Sequence, residues 1–212
     1  MTEETKRIID VVLAVVAMVG AALGFLKAVH EWQVSQKWKR AEHLDGLIER
    51  FESEPWLRLG CVLLDWTFRT IKHDGKTSTI TNADLLLALR RHVEDGVGRF
   101  DGNQALVRDC LDAMLGFLSR IETALGSGLI DDEPTRKHFE YWIRKMVTMD
   151  SHPVLSDDPD HSAIVAALKG RSPAQMMAAY VTAYGDTTSF RRLCRRLGVP
   201  FPELDQLAAD QD

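Results

Sequence analysis

The sequence predicts an all-α protein in which one N-terminal transmembrane helix continues into a bundle of helices. Three observations predict this fold class. An unbroken apolar run extends from Val11 to Leu26, apolar residues recur at helical spacing along most of the remaining chain, and prolines or glycines separate these segments. The 212 residues, 45% hydrophobic and 27% charged, suit one folded domain with one additional segment.

The chain divides into four predicted parts. An N-terminal segment with the transmembrane helix (1–30) leads into a helical bundle (31–149). An acidic linker (150–161) follows, and short C-terminal helices (162–212) complete the chain. We predict the linker because this stretch has two prolines and four aspartates and no helical pattern.

The apolar run is long enough to cross a bilayer. With its flanks it extends from Ile8 to Val29, close to the ~20 residues that a transmembrane helix needs. A cleaved signal peptide and a buried helix of a soluble domain are the alternatives. Glu3, Glu4 and Asp10 disfavour a signal peptide, and no small-residue cleavage site follows the run. Basic residues are more numerous after the run than before it, so the positive-inside rule predicts the inner membrane with the C-terminal domain in the cytoplasm.

One face of this helix carries small residues, and the opposite face carries bulky ones. Small side chains let helices approach closely in lipid, and Gly20 and Gly24 form a GxxxG pair. The alternative is that alanine and glycine are simply common in membrane helices. Asp10, at the end of the run, marks a functional position or reaches the headgroups. We predict that the small face mediates self-association or lines a pore, through Asp10, Ala14, Ala17, Gly20, Ala21, Gly24 and Ala28.

Helical periodicity and capping residues predict the elements that follow the span. We expect the first helix to continue through Phe51 and to stop before Pro55. The stretch from His73 to Thr79 is predicted to be a turn or a short hairpin, and the tail from Pro200 to be frayed. The other predicted helices are Trp56–Ile71, one capped by Thr81 or Asn82 that runs to Val93, Asn103–Ala124, one capped by Asp132, and 162–169, 173–184 and 189–197.

No pattern of an enzyme active site is present in the sequence. It lacks a phosphate-binding glycine loop, GxSxG, HExxH and CxxC. We therefore predict that the protein is not an enzyme and that it uses no cofactor and no metal. His152 and His161, with the aspartates between them, are an alternative metal loop, but their spacing is not that of a calcium loop and a solvated linker is favoured.

The three cysteines are far apart and lie in apolar stretches, which predicts buried, reduced thiols.

Asp65 lies in the most apolar predicted helix. Because an unpaired buried charge is costly, we predict that Asp65 pairs with Arg69 or Arg144 in a structural role.

The segment FRRLCRRLG is the most suggestive polar cluster. Its four arginines stand on neighbouring turns, and guanidinium groups hold phosphates by bidentate contact. Arg90, Arg91 and His92 would extend this surface if the fold brought them near. The alternative is a solvated helix face that offsets the formal net charge of -5, a charge that also argues against a general nucleic-acid coat. The predicted ligand-binding residues are Arg191, Arg192, Arg195 and Arg196, with an oligonucleotide or a cyclic nucleotide as the ligand.

Residues 37–147 resemble a bacterial helical domain of unknown function that often follows one N-terminal membrane helix. The similarity rests on the LDW block at Leu64–Trp66 and on the GLID and YWI blocks at 128–131 and 141–143. In its overall plan the chain also resembles membrane effectors of anti-phage defence systems, such as the nucleotide-gated channel of the Hailong system. This resemblance implies an oligomer that opens or perturbs a membrane when a ligand binds.

Two functions from different classes remain open at this point. The first is an oligomeric membrane effector, with membrane lipid, a second copy of the chain and a nucleotide as its partners. The second is a membrane-anchored adaptor without a pore, whose helical domain docks an operon-encoded partner protein. An enzyme of unknown motif is a third, less favoured alternative.

Overall fold

The computed structural model describes residues 3–66, 68–73, 75–92, 99–154 and 161–209. Helices dominate the described residues, which confirms the all-α prediction, and one short antiparallel hairpin is added to them. The elements in chain order are α1 (Glu3–Ser53), α2 (Pro55–Asp65), β1 (Phe68–His73), β2 (Lys76–Thr81), α3 (Asn82–Ala88), α4 (Gly102–Gly126), α5 (Asp132–Thr148), α6 (His161–Leu168), α7 (Pro173–Tyr184), α8 (Thr187–Leu197) and α9 (Pro202–Ala209).

The chain forms two compact units, Met1–His43 and Leu44–Asp212. The first unit is the N-terminal part of α1, and nearly all of its described apolar side chains are exposed, for example Met18 at 72% and Phe25 at 69%. An 18-residue window of this helix has a mean hydropathy of 2.3, and none of that window is buried. The helix is therefore long and apolar enough to cross a membrane.

The second unit has a continuous hydrophobic core that begins at Leu44 and extends to Leu204. Helix α4 lies at its centre, because α2, α3 and α8 all pack against it. Helices α2 and α4 approach closely at Gly60, where an added Cβ would lie 2.5 Å from the Met114 Sδ atom. Helix α7 packs against α5 and α9, so the C-terminal helices belong to the same core.

Several helix limits follow from capping residues. Thr81 and Asp84 form a capping box at the start of α3, and Asp101 caps α4. The N-cap of α5 is Asp131 rather than the predicted Asp132, and Asp132 is the first helical residue. Gly198 has a positive φ of 73° and ends α8 in the left-handed conformation that favours glycine.

Two predicted helices are shorter than the sequence suggested. The helix predicted as Trp56–Ile71 ends at Asp65, and its last part forms β1. Aromatic and β-branched residues from Trp66 to Ile71 favour a strand, and the Asp–Gly sequence that follows favours a tight connection to β2. The helix predicted to reach Val93 ends at Ala88, where the buried Arg108 side chain donates to the Ala88 carbonyl. Val93 itself lies outside the described residues.

The tail predicted to be frayed forms α9 in its described part, because Phe201 and Leu204 are buried in the core of the second unit. Residues 210–212 lie outside the described residues. The first part of the predicted linker also packs: His152 is fully buried. Residues 155–160 of that linker lie outside the described residues.

Candidate functional site

The four arginines of α8 all contact carboxylates of the same chain. The Arg192 guanidinium forms two hydrogen bonds to the Glu122 carboxylate, at 2.8 and 3.2 Å. Glu122 is buried on α4, and this carboxylate holds the pKa of Arg192 above its usual value. Arg192 thus compensates the buried charge of Glu122, so its role is structural and it is not simply a solvated surface residue.

The other three arginines form ion pairs with α5 and α9. Arg191 and Arg195 both contact the Asp205 carboxylate, at 3.1 and 3.4 Å. Arg196 lies 3.5 Å from the Asp132 carboxylate. A phosphate ligand on this helix would compete with these two carboxylates and with Glu122, so ligand binding by the α8 arginines stays a prediction.

Arg90 and His92, which were expected to extend the α8 surface, have other partners. The Arg90 side chain donates to the Leu87 carbonyl at 2.8 Å and to the Gln104 amide oxygen at 3.0 Å. The backbone N–H of His92 donates to the Tyr184 hydroxyl. These contacts join α3 to α4 and α7.

Sequence inspection missed a buried arginine at this place. Arg108 donates to the carbonyls of Ala88 and Arg90 at 2.7 and 3.0 Å, which closes the end of α3. The rings of Phe100, Tyr180 and Tyr184 surround its guanidinium, with centroids 4.4 to 4.9 Å away. The aromatic partners are as many as 76 positions from Arg108 in the chain, so no local pattern points to this cluster.

A cavity of the second unit lies between the end of α1, α2 and α5. It has a volume of about 290 Å³, near the lower limit of ligand pockets. We call it the aromatic pocket, and it is lined by Ile48, Phe51, Glu52, Arg58, Cys61, His138, Phe139 and Trp142.

Phe51, Phe139 and Trp142 give this pocket an aromatic part of its wall. Phe51 packs edge-on against Phe139 with ring centroids 5.2 Å apart, and against Phe117 at 5.3 Å. Trp142 lies 6.2 Å from Phe51 and is half-buried. Arg58 and Glu52 of the lining are both exposed, so one cationic and one anionic group lie at the mouth of the pocket.

The thiol in this pocket is not activated. Burial raises the pKa of Cys61 to about 12, with Asp65 contributing further. The neutral thiol is a poor nucleophile near neutral pH. The cysteine prediction is confirmed, because Cys61, Cys110 and Cys194 are all free and buried.

A second cavity of about 260 Å³ is more polar. Arg50 and Arg120 lie on its wall together with Glu54 and Asp112. Arg50 already contacts Glu54 at 3.2 Å, and Asp112 accepts a hydrogen bond from Tyr180. The two arginines and the two carboxylates of this cavity balance in charge, so the cavity favours neither an anionic nor a cationic ligand.

Asp65 has a structural role, but its partners are not the predicted ones. The Tyr141 hydroxyl donates to the Asp65 carboxylate at 2.5 Å, which raises the pKa of Tyr141, and Lys145 lies 3.8 Å away. Arg144 instead contacts Glu140 one turn earlier on α5. The expected pair of Arg69 with Asp65 is not found. Helix α2 ends at Asp65, and the Arg69 guanidinium lies over the Trp66 ring.

His152 joins three parts of the core. Its Nδ1 atom lies 3.0 Å from Asn82 Oδ1, and its Nε2 atom lies 3.3 Å from the Leu64 carbonyl at the end of α2. These contacts correct the idea of a solvated linker at this residue. Among the residues that the structure describes, no group of three or more His, Cys, Asp or Glu side chains is placed to hold a metal ion.

We expect the domain to lose stability as pH falls from about 7 to about 5. Burial lowers the pKa of His152, opposed by the Leu64 carbonyl; Lys145 lowers it further and Asp150 raises it. The unfolded imidazole therefore takes up a proton at a pH where the folded one does not, and protonation favours unfolding. Urea denaturation at several pH values in this range gives the free energy of unfolding, which should depend less on pH for His152→Gln than for the parent chain. The same pH dependence in both proteins would contradict this role of His152.

The small-residue face lies on the first unit, within α1. An added Cβ at Gly20 or Gly24 would meet nothing within 4 Å, so this face is open in the protomer. Self-association through it stays a prediction. Its residues are all exposed: Asp10, Ala14, Ala17, Gly20, Ala21, Gly24 and Ala28.

The fold therefore defines an all-α protein with an exposed apolar N-terminal helix and a folded helical domain. No protein-family model, no curated protein and no solved structure matches this chain.

Proposed function

We propose that this chain is an oligomeric membrane-anchored effector whose folded domain responds to a small ligand. The observation that carries the proposal is the continuity of α1 from Glu3 to Ser53. One part of this helix exposes a membrane-length apolar segment. Another part supplies Ile48, Phe51 and Glu52 to the aromatic pocket. A ligand in that pocket would contact the helix that carries the membrane segment.

The apolar segment needs an apolar environment. Leu13, Val16 and Met18 are between 61% and 72% exposed, and each such side chain gains about 1.5–3 kcal/mol when it is fully buried. The core helix of a soluble domain would bury these residues, and none of the apolar window is buried. The helix also continues far beyond the point at which a signal peptide would be cleaved. A bilayer fits these observations best.

The aromatic pocket is better suited to sense a ligand than α8. Its rings would bind a planar molecule, and the Arg58 guanidinium and the Glu52 carboxylate would contact polar groups of that molecule. Binding would alter how Phe51 and Ile48 pack, and α1 would carry that change toward its apolar segment. The α8 arginines, which contact carboxylates, remain the alternative ligand surface.

We further propose that the oligomer acts as a ligand-gated channel or as a membrane-perturbing protein of bacterial anti-phage defence. This step rests on the resemblance in plan. It places the helix in the inner membrane with the folded domain in the cytoplasm, as the positive-inside rule favours. The adaptor without a pore is the second candidate. Conductance of liposomes that hold the full chain, with and without oligonucleotides or cyclic nucleotides, separates the two.

Substituting Gly20→Leu and Gly24→Leu together should weaken self-association of the full chain in membranes. Leucine would separate helix backbones that must touch, while the protomer itself has space for both side chains. Crosslinking in vesicles followed by electrophoresis measures the loss of oligomer.

The matched control is Val15→Leu with Val19→Leu on the opposite face of the helix. It adds apolar bulk to the same segment and should leave the crosslinked oligomer unchanged. If the glycine variant crosslinks as well as the parent chain, assembly does not use the small-residue face.

A further inference from the structure

The second cavity, of about 260 Å³, lies between the end of α1, the start of α2 and the middle of α4. We call it the polar cavity, and its charged lining residues are Arg50, Glu54, Asp112 and Arg120. They all belong to the second unit. The volume is below the ~300 Å³ at which pockets for drug-sized ligands begin, so the cavity suits a small molecule. The proposed function does not use this cavity.

Two of the four charges neutralise each other. The Arg50 Nε atom lies 3.2 Å from a Glu54 carboxylate oxygen. The fully buried Tyr180 donates its hydroxyl to Asp112 Oδ1 at 2.6 Å, which holds that carboxylate in place without cancelling its charge. Among the residues that the structure describes, neither Asp112 nor Arg120 forms an ion pair. The cavity therefore presents one anion and one cation that are not compensated.

A glycine between these two charges leaves the wall of the cavity open. Gly116 lies one turn after Asp112 and one turn before Arg120 on α4, and it lines the cavity. Glycine is less favourable than alanine in a helix interior. The fold does not require this glycine, because an added Cβ would meet no atom of the described residues within 4 Å. A molecule lying against the helix backbone would require it, since a side chain at this position would occupy the same space.

The distance between the two charges indicates the shape of the ligand. Asp112 and Arg120 are eight residues apart on one helix, which separates their Cα atoms by about 12 Å. A molecule that contacts both side chains therefore carries its charges at the two ends of a chain. Leu57 and Phe117, both buried, give the cavity an apolar part of its wall, which suits the methylene groups of such a chain.

We propose that the polar cavity binds a small linear zwitterion, with an ammonium group at one end and a carboxylate at the other. The ammonium contacts Asp112, and the carboxylate binds the Arg120 guanidinium, a group that suits bidentate carboxylate recognition. A purely anionic ligand is repelled by Asp112 and a purely cationic one by Arg120, whereas a zwitterion is attracted by both. ω-Amino acids have this chemistry.

Thermal unfolding of the full chain in detergent, followed by circular dichroism, tests this binding. The probes are γ-aminobutyrate, 5-aminovalerate and 6-aminohexanoate. The carboxylic acid and the amine of the same chain length keep one charge each and serve as matched molecules at fixed ionic strength. We expect at least one ω-amino acid to raise the unfolding temperature with a saturable dependence on its concentration, and its matched acid and amine to leave that temperature unchanged.

Removing the arginine charge separates binding from folding. Arg120→Gln should weaken the affinity for the ω-amino acid at least about tenfold, because a hydrogen bond to a charged group is lost. The unfolding temperature of the ligand-free variant should equal that of the parent chain, since Arg120 has no ion pair to lose. Arg136→Gln, the same change at an exposed position of α5, is the control and should leave the affinity unchanged.

Filling the cavity should also abolish binding. Gly116→Leu places a side chain in the space that the ligand occupies, and no saturable shift should remain. Gly46→Leu is the matched control, because Gly46 is also a helix glycine of the second unit with open space around an added Cβ. Leucine favours a helix more than glycine does, so neither variant should lower the unfolding temperature of the ligand-free chain.

Three results would overturn the proposal. The first is the absence of a saturable shift with every ω-amino acid, including a shift that only rises linearly as a solvent effect does. The second is an equal shift with the matched acid or amine. The third is parent-like binding by both Arg120→Gln and Gly116→Leu. None of these measurements involves the aromatic pocket or the apolar segment, so the proposed function is tested separately.

Discussion

Substituting Val15→Asp and Val19→Asp will move the full chain out of the membrane fraction. An aspartate at the centre of a transmembrane helix costs about 2.5–3.5 kcal/mol, so two on one face cost about 5–7 kcal/mol. Both valines are more than half exposed in the protomer, so the fold itself loses no core packing. Carbonate extraction of membranes followed by immunoblotting measures the partition.

The matched control for this variant keeps the segment apolar. Val15→Ile with Val19→Ile alters the same two positions and should stay in the carbonate-resistant pellet with the parent chain. If the aspartate variant also remains in that pellet, the segment from Val12 onward does not cross the bilayer.

Substituting Phe51→Ala will destabilise the folded domain by about 3–5 kcal/mol. The Phe51 ring is buried and contacts the rings of Phe117, Phe139 and Trp142. Its removal leaves a cavity where the end of α1 joins the domain. Urea denaturation of the full chain in detergent, followed by circular dichroism, gives the free energy of unfolding.

A surface substitution sets the scale for this result. Leu129→Ala removes a side chain that is 50% exposed and should change the free energy of unfolding much less. If Phe51→Ala is as mild as Leu129→Ala, the end of α1 is not part of the folding unit, and coupling between the pocket and the apolar segment loses its basis.

Local patterns predicted the longer helices well. The apolar periodicity of 103–124 gives α4 within two residues at each end, and Ser172, Pro173 and Gly185 mark the limits of α7. Phe139, Ile143 and Met146 recur at helical spacing and are buried on α5. Such elements are predictable because caps and periodicity are properties of neighbouring residues.

The hairpin was less predictable, because its strand continues an apolar helix without a break in hydrophobicity. Residues Trp56–Ile71 form one apolar run, and only the β-branched and aromatic character of its last part signals a strand. The Asp–Gly turn indicated a hairpin but not its length. Packing of Ile71 and Ile80 on the core decides the register.

Polar partners were the least predictable feature. The sequence suggested neighbours such as Arg69 for Asp65, but the structure pairs Asp65 with Tyr141, 76 positions away. Arg192 and Glu122 are 70 positions apart, as are His152 and Asn82. The aromatic pocket combines three helices in the same way. Such pairings depend on the packing of whole helices, which one sequence does not reveal.

Nitroxide scanning of α1 tests the central claim most directly. Single cysteines placed one by one from Val12 to Lys39 in the full chain, spin-labelled in vesicles, report contact with oxygen in lipid or with a nickel chelate in water. We predict oxygen contact from Val12 to about Val29, a length set by the ~20 residues of a transmembrane helix, and nickel contact at Lys37 and Lys39. Nickel contact along the whole scan would contradict the membrane anchor and the proposed function that rests on it.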